Sequence, residues 1–512
     1  MLRSIRPVQA RSWIRLQSTT ATRSAAVLPT SSSSRSNPPP PVNSASSPSP
    51  SLKPQPFIPR LSNKKLQLES LSTTPHDPTR STTLHFLDPG SSPLSLSLPN
   101  LWLRDSSIHP SHVHPSSNQK LFRTTDIPIN GKLIGYGVHE LPGKGDCLVT
   151  EWSTRLSTPG MDPKSVKLSV VPLSVLEGLI RGGESEGKVL GNLPESRTWD
   201  KKQLEQTLVE MDYQEYMKDD KALFRMLDGL VKDGIVFLKN VPTTEKAGHA
   251  TELKRLVERI GSLRKTWYGD LWDVKAEQGS KNIAYTNLDL GLHMDLTHFD
   301  HPPRYQFLHS LLNSSVLGGE SYFVDSYALA QHLLSTSPSH FSTLCTEPVH
   351  FEYRNGPHWT RFSRPTFELV PGSHQTLKAV NYSPPFQGNF LLERLRRDEK
   401  GKEVASDDTE RLLELHEALG EFAKLCDDKE GKWRYTRQLQ PGECVIFDNR
   451  RVLHARTAFE FTENGGEEGK GEEEKGRWLK GAYMDGDEVW SRWRVEREKQ
   501  SQTPSKGRTL FV

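Results

Sequence analysis

Three tripeptides in this 512-residue chain could begin a metal site: His293-Met-Asp295, His298-Phe-Asp300 and His350-Phe-Glu352. A histidine and a carboxylate two positions apart on a strand point to the same side, so the pair can offer an imidazole and an oxygen to one ion. Two neutral imidazoles and one carboxylate on one face of a metal leave positions open, which is the ligand set of non-heme iron. With 18 histidines and 63 acidic residues, about two such tripeptides arise by chance, so the pattern alone decides nothing. His293 is singled out by context, because it follows Ala284-Tyr285-Thr286 and a third ligand, His454, stands in an apolar run after ECVIFDNRR. Asp295 and His454 are distant in sequence, so only the fold can bring them together.

The elements that must do this can be read from periodicity. Between 200 and 262 apolar residues recur at helical spacing (Leu204, Leu208, Met211; Leu253, Leu256, Val257, Ile260), with GIVFLKNVP as a strand between them. From 283 to 455 runs of strand length (FLHSLLNSSVL, SYFVDSY, VHFEYR, TFELV, ECVIFDN, RVLHA) alternate with loops, and one stretch, 408–425, is helical. This predicts a mainly β barrel or sandwich with flanking helices over 200–500. Upstream, over 64–185, short alternating runs such as Leu94–Leu98 and Val166–Val171 separated by DPGSSP, INGK and PGKGD predict a small N-terminal β domain.

Charge separates the two ends of the chain. Residues 1–68 hold ten basic and no acidic residues, which leaves 56 basic against 63 acidic in the remainder. The body therefore has no basic footprint for nucleic acid. Arg3, Arg6, Arg11 and Arg15 interleave with Leu2, Ile5, Val8, Trp13, Ile14 and Leu16, the composition of a mitochondrial transit peptide over 1–30 and of a matrix destination. Residues 31–63 are Ser/Pro-rich with too few apolar groups to offset ordering entropy, and read as a disordered linker. No run of 18 apolar residues occurs, so no membrane-spanning helix is expected. Cys147, Cys345, Cys426 and Cys444 lack paired spacing, and 463–475 is an acidic, Gly-rich insertion.

Six segments in order, LWLRDSS (101–107), TWYGDLWDV (266–274), NIAYTNLDLGLHMDLTHFDHPPRYQFLH (282–309), GGESYFVDSY (318–327), PGECVIFDNRRVLHARTAF (441–459) and RWLKGAYMDGDEVWSRWR (477–494), resemble the γ-butyrobetaine dioxygenase family, part of the larger taurine-dioxygenase-like group. The resemblance implies a double-stranded β-helix (jelly roll) that binds Fe(II) through His293, Asp295 and His454, preceded by the family's small β domain. It implies 2-oxoglutarate as co-substrate, with Arg477 on its far carboxylate and Ser321 near it, and ascorbate as reductant. A planar, bidentate guanidinium suits that carboxylate. Tyr268, Trp272, Tyr285 and Tyr483 match the family's aromatic cage for a quaternary ammonium, and Asn282 a polar position in the same pocket. Such a cation donates no hydrogen bonds and is selected by aromatic faces. The implied reaction is hydroxylation of γ-butyrobetaine to L-carnitine, and a homodimer is implied by resemblance alone.

Three departures stand out. The acidic insertion lengthens the step from His454 to Arg477, leaving Arg456 closer in sequence. Ser383 stands where animal members have an asparagine on the substrate carboxylate. Where the family often binds structural zinc, this chain has Ser107, His109 and His112 with no convincing fourth ligand, and an ordinary loop is expected. Trimethyllysine dioxygenase is the nearest alternative; a catalytically silent barrel binding a small cation and a hydrolytic zinc enzyme are the others.

Overall fold

The computed structural model describes residues 67–501 apart from 75, 88–92, 115, 143, 157–165, 182–195, 245–250, 276–290, 315, 391–395, 398–402, 405–407, 429–430 and 462–475. The expected leader and linker, the acidic insertion, Asn282 and Tyr285 lie outside the described residues.

Strands Gln67–Thr73, Ser81–Leu87 and Leu94–Pro99 form one antiparallel sheet, and Leu133–Leu141, Gly145–Leu156 and Val166–Pro172 a second. Alternation sets their buried face: Thr82, Leu84 and Phe86 are buried on one strand, and Leu84 and Phe86 cluster with Leu98, Leu148, Trp152 and Leu176. In the HPSHVH segment the Ser107 hydroxyl accepts from the backbone N–H groups of His109 and Val170 and pairs with His112 Nδ1 at 2.9 Å. Burial holds the His112 pKa down to about 4, helped by His109 and Arg104. A serine thus ties this loop through three hydrogen bonds, and no metal-binding group of three forms there among the described residues.

Downstream, a six-stranded sheet runs in the order Val209–Asp212, Ile235–Lys239, Cys444–Asp448, Tyr305–Ser314, Gly476–Met484, Leu271–Lys275. Its first pair is parallel and the rest are antiparallel. A smaller antiparallel sheet, Tyr435–Arg437, Ser321–Asp325, Val452–Arg456, lies against one face. Alternate residues of the large sheet serve different cores. Cys444, Ile446, Tyr305, Phe307, Ala482 and Met484 pack with helical residues such as Leu227, Leu230, Leu256 and Val489. Val445, Phe447, Leu308 and Leu479 turn the other way, toward Phe323 and Val452 of the small sheet. Each fully buried side chain of this kind contributes roughly 1.5–3 kcal/mol. The result is a mainly β, double-stranded β-helix with helices outside.

The Asp220–Asp233 helix shows how sequence makes a covering helix. Asp219 caps the Lys221 N–H, Leu223, Met226, Leu227 and Leu230 form one stripe, and Gly234 ends it at φ +77°. The helix expected at 408–425 is Thr409–Asp427. The run SYFVDSY departs from expectation, because its strand stops at Asp325, whose carboxylate caps the Tyr327 N–H and starts a helix, Ser326–Thr336. A second helix, Pro338–Thr346, follows with proline in its first turn. Both pack against Thr409–Asp427 through Leu329, Leu333, Phe341, Leu344 and Phe422.

Candidate metal centre

The chain crosses from the large sheet to the small one through the turn 449–451, and the strand that follows carries His454. His293 meets it in an isolated antiparallel bridge, each N–H donating to the other's carbonyl at 3.1 Å. The expected His-x-Asp strand is therefore absent: Asp295 begins a turn, and Leu296 after it adopts φ +58°. The turn carries Asp295 back toward both imidazoles, so the two ligands converge by chain reversal and not by strand alternation.

The Nε2 atoms of His293 and His454 lie 3.4 Å and 3.9 Å from Asp295 Oδ1, and the three ligand atoms fall within 4.8 Å of one another. His293 Nδ1 sits 2.9 Å from the Gly291 carbonyl, which can only accept, so the proton is on Nδ1 and the Nε2 lone pair is free for a metal. Burial holds the His454 pKa down to about 3, with His293 adding to the effect. Burial by itself would raise the Asp295 pKa, but the neighbouring His293 and His454 side chains and the Tyr483 hydroxyl outweigh it and hold the pKa below the usual carboxylate range. Two neutral imidazoles and one carboxylate, the latter with one-fifth of its side chain exposed, fit Fe(II) with an open side. Of the three tripeptides only this one gathers a third ligand among the described residues. His298 Nδ1 pairs with Thr360 Oγ1 at 2.7 Å, and His350 Nδ1 with Ser363 at 3.1 Å.

Asp295 is held from two directions. Its N–H donates to Asn449 Oδ1 at 2.8 Å, while Asn449 Nδ2 donates to the carbonyls of Asp295 and Pro303, both at 3.1 Å. Its second oxygen, Oδ2, accepts from the Tyr483 hydroxyl at 2.7 Å. The neighbours of Asn449 tie down other elements: Asp448 pairs with Arg304, Arg450 with Glu368 and Arg451 with Asp325.

Arg477, Leu479, Gly481 and Tyr483 alternate along one strand and face the same way. Arg477 is 7% exposed, its side chain makes no ion pair or hydrogen bond among the described residues, and it lies beside Gly319, where an added Cβ would be 3.5 Å from that side chain. Burial and the nearby Arg456 hold its pKa down to about 9. An unpaired buried guanidinium is costly unless an anion joins it. Ser321 is buried on the small sheet opposite Arg456. Trp272 lies across Gly481 and against Tyr483, ring centroids 5.1 Å apart and 29° from parallel. Tyr268 is close enough for the Asp295 charge to raise its pKa, after the larger effects of burial and of Tyr353.

Two parts of the site were not read from the sequence. One is the Asn449 clamp, since a turn asparagine has many uses. The other is the group formed by Trp267, His298, Tyr353 and His358, with interplanar angles of 10–19° to the indole. Ser383, the departure at the position where animal members have an asparagine on the substrate carboxylate, is 1% exposed, and its hydroxyl is shut off from solvent with no partner among the described residues.

The family model described as "Taurine catabolism dioxygenase TauD, TfdA family" matches residues 197–483, more than half of the chain. "Dioxygenase str8" of Strobilurus tenacellus is 35% identical over 407 residues, covering 79% of this chain and 86% of that protein. "Gamma-butyrobetaine dioxygenase" of Homo sapiens is 31% identical, covering 60% and 70%. "Trimethyllysine dioxygenase, mitochondrial" of Mus musculus is 28% identical, covering 51% and 58%. The matched span takes in the whole His293, Asp295, His454 centre, and the chain belongs to the TauD/TfdA family of Fe(II)- and 2-oxoglutarate-dependent dioxygenases.

Proposed function

We propose that this dioxygenase hydroxylates a trimethylammonium substrate, with γ-butyrobetaine converted to L-carnitine as its reaction, in mitochondria. The observation that carries the reading is the aromatic surface against the metal carboxylate: Trp272 stacks on Tyr483, whose hydroxyl reaches Asp295. A cation with no N–H group is attracted to such faces, each contributing about 0.5–2 kcal/mol as it is desolvated. The relatives named γ-butyrobetaine and trimethyllysine dioxygenase support the substrate class, and the Arg-rich, acid-free leader supports the compartment.

His293, Asp295 and His454 would hold Fe(II), and Arg477 the distal carboxylate of 2-oxoglutarate, with Ser321 beside it. Bound iron supplies activation of O2, coupled to conversion of 2-oxoglutarate to succinate and carbon dioxide and to insertion of one oxygen atom into a C–H bond. The chain's own work is placement. Gly291 fixes the His293 tautomer, Asn449 pins the Asp295 backbone, Tyr483 holds its carboxylate, and Phe447 packs on His454 with centroids 4.7 Å apart. Tyr268 and Trp272 would hold the cationic end, so that a methylene faces the metal.

The test is succinate production from 2-oxoglutarate with Fe(II), ascorbate and O2, comparing γ-butyrobetaine with trimethyllysine. Stimulation by γ-butyrobetaine with carnitine as product is the expected result. Stimulation by trimethyllysine alone reassigns the substrate within the class. Slow succinate formation that neither compound accelerates discards the trimethylammonium reading and keeps the oxygenase.

A further inference from the structure

The Asp295 carboxylate has two oxygens in different surroundings. Oδ1 faces both histidine Nε2 atoms, and Oδ2 accepts from Tyr483 at 2.7 Å. Tyr483 is itself fixed: it is 3% exposed, lies in a strand paired on both sides, and has the Trp272 indole against its ring. A phenol bonded to one carboxylate oxygen stops the group from rotating and discourages chelation through both oxygens. We propose that Tyr483 is a positioning residue for the metal centre, its hydroxyl reserving Oδ2 so that Asp295 offers the metal Oδ1 alone.

This assignment goes beyond a cage role, in which only the ring face matters and the hydroxyl is dispensable. It also makes one side chain common to the aromatic surface and the metal carboxylate. Displacing the Tyr483 ring by filling or emptying its surroundings changes the hold on Asp295, and the two sites are then linked reciprocally. The inference rests on Asp295 being a metal ligand, as read above, and not on which organic substrate is oxidised.

The experiment is an anaerobic Co(II) titration of the full chain, following d–d absorption, for the wild type, Tyr483→Phe, Trp272→Leu and Asp295→Ala. Phenylalanine keeps the ring and the packing and deletes only the hydroxyl. Tyr483→Phe is expected to bind Co(II) about 10–100-fold more weakly with altered d–d bands, while far-UV circular dichroism is unchanged. Trp272→Leu keeps the hydroxyl but removes the ring that backs it, and is expected to shift the same bands with a smaller loss of affinity; it serves if Tyr483→Phe does not fold. Wild-type affinity and bands in Tyr483→Phe, or in Trp272→Leu where that variant stands in, overturn the proposal. Asp295→Ala separates the two failures: if it binds Co(II) like the wild type, the ligand reading has failed, and if it alone loses Co(II), only the role of Tyr483 has.

Discussion

Replacing Arg477 by methionine should make the protein more stable without co-substrate and unable to gain stability from it. A guanidinium pKa of about 9, against an ordinary 12.5, means that the fold disfavours the charged form by ~5 kcal/mol. The cause is burial followed by repulsion from Arg456, and no anion among the described residues offsets either. Methionine retains much of the apolar stem and removes the charge. Allowing for imperfect packing, a gain of ~2–4 kcal/mol remains, in the range seen when buried ionic groups give way to apolar ones. For a domain of about 300 residues that corresponds to a melting midpoint ~3–6 °C higher. Saturating 2-oxoglutarate with Mn(II), at 100 times its dissociation constant, adds ~2.7 kcal/mol to the wild type and little to Arg477→Met, so the order of the midpoints closes or reverses. Differential scanning fluorimetry with and without 2-oxoglutarate reads both effects. A lower midpoint for Arg477→Met in the absence of 2-oxoglutarate, or an equal shift of both proteins on its addition, would refute the argument.

Gly481→Ala should drive the Trp272 indole off the Tyr483 ring, since an added Cβ collides with it; overpacking of this kind costs ~1–3 kcal/mol, and substrate KM should rise more than kcat falls. Unchanged KM would show that the Trp272 position is immaterial. Asn449→Ala leaves one buried N–H and two carbonyls without their side-chain partner, so chemical denaturation should find the variant ~2–4 kcal/mol less stable, with Co(II) binding weakened as well. Burial pulls the pKa values of His112, His298 and His309 down to about 4, from 6.5 in the unfolded chain. The unfolded state therefore takes up protons first as pH falls. Their contribution is complete above about pH 6.5, declines by up to ~1.4 kcal/mol per group per pH unit toward pH 4, and changes no further below that. A melting midpoint that stays flat between pH 7 and 4.5 would contradict this.

The candidate triad was legible because its neighbours carry a family pattern, which the tripeptide, present three times, does not supply by itself. The two sheets were legible because alternation and apolar runs report which faces are buried. What escaped lies in long-range hydrogen bonding. The amide of Asn449 reaches back to the Asp295 backbone, and Tyr483 comes from a different strand to the Asp295 carboxylate. Nothing at either position distinguishes these uses from ordinary turn or core residues. The strand expected through His293 failed for a related reason, because the isolated bridge to His454 and the turn at Asp295 are set by a partner distant in sequence. The departure at Ser383 is one of environment as well as of residue type, since burial closes off its hydroxyl. The helix after Asp325 was hidden because a strand and a capped helix share one apolar run.

The place of Cys444–Asp448 in the large sheet has a consequence for how the chain is made. That strand lies between Ile235–Lys239 and Tyr305–Ser314, so two segments synthesised much earlier become neighbours only through it. As the chain emerges into the compartment where it folds, both present open, apolar edges until residues 444–448 follow, and such edges invite pairing with other chains. His454 and Tyr483 emerge later still, so iron captured by a nascent chain would meet one histidine and an untethered carboxylate. The three candidate ligands and the tyrosine that holds the carboxylate therefore come together only once the strands Cys444–Asp448, Val452–Arg456 and Gly476–Met484 have joined their sheets.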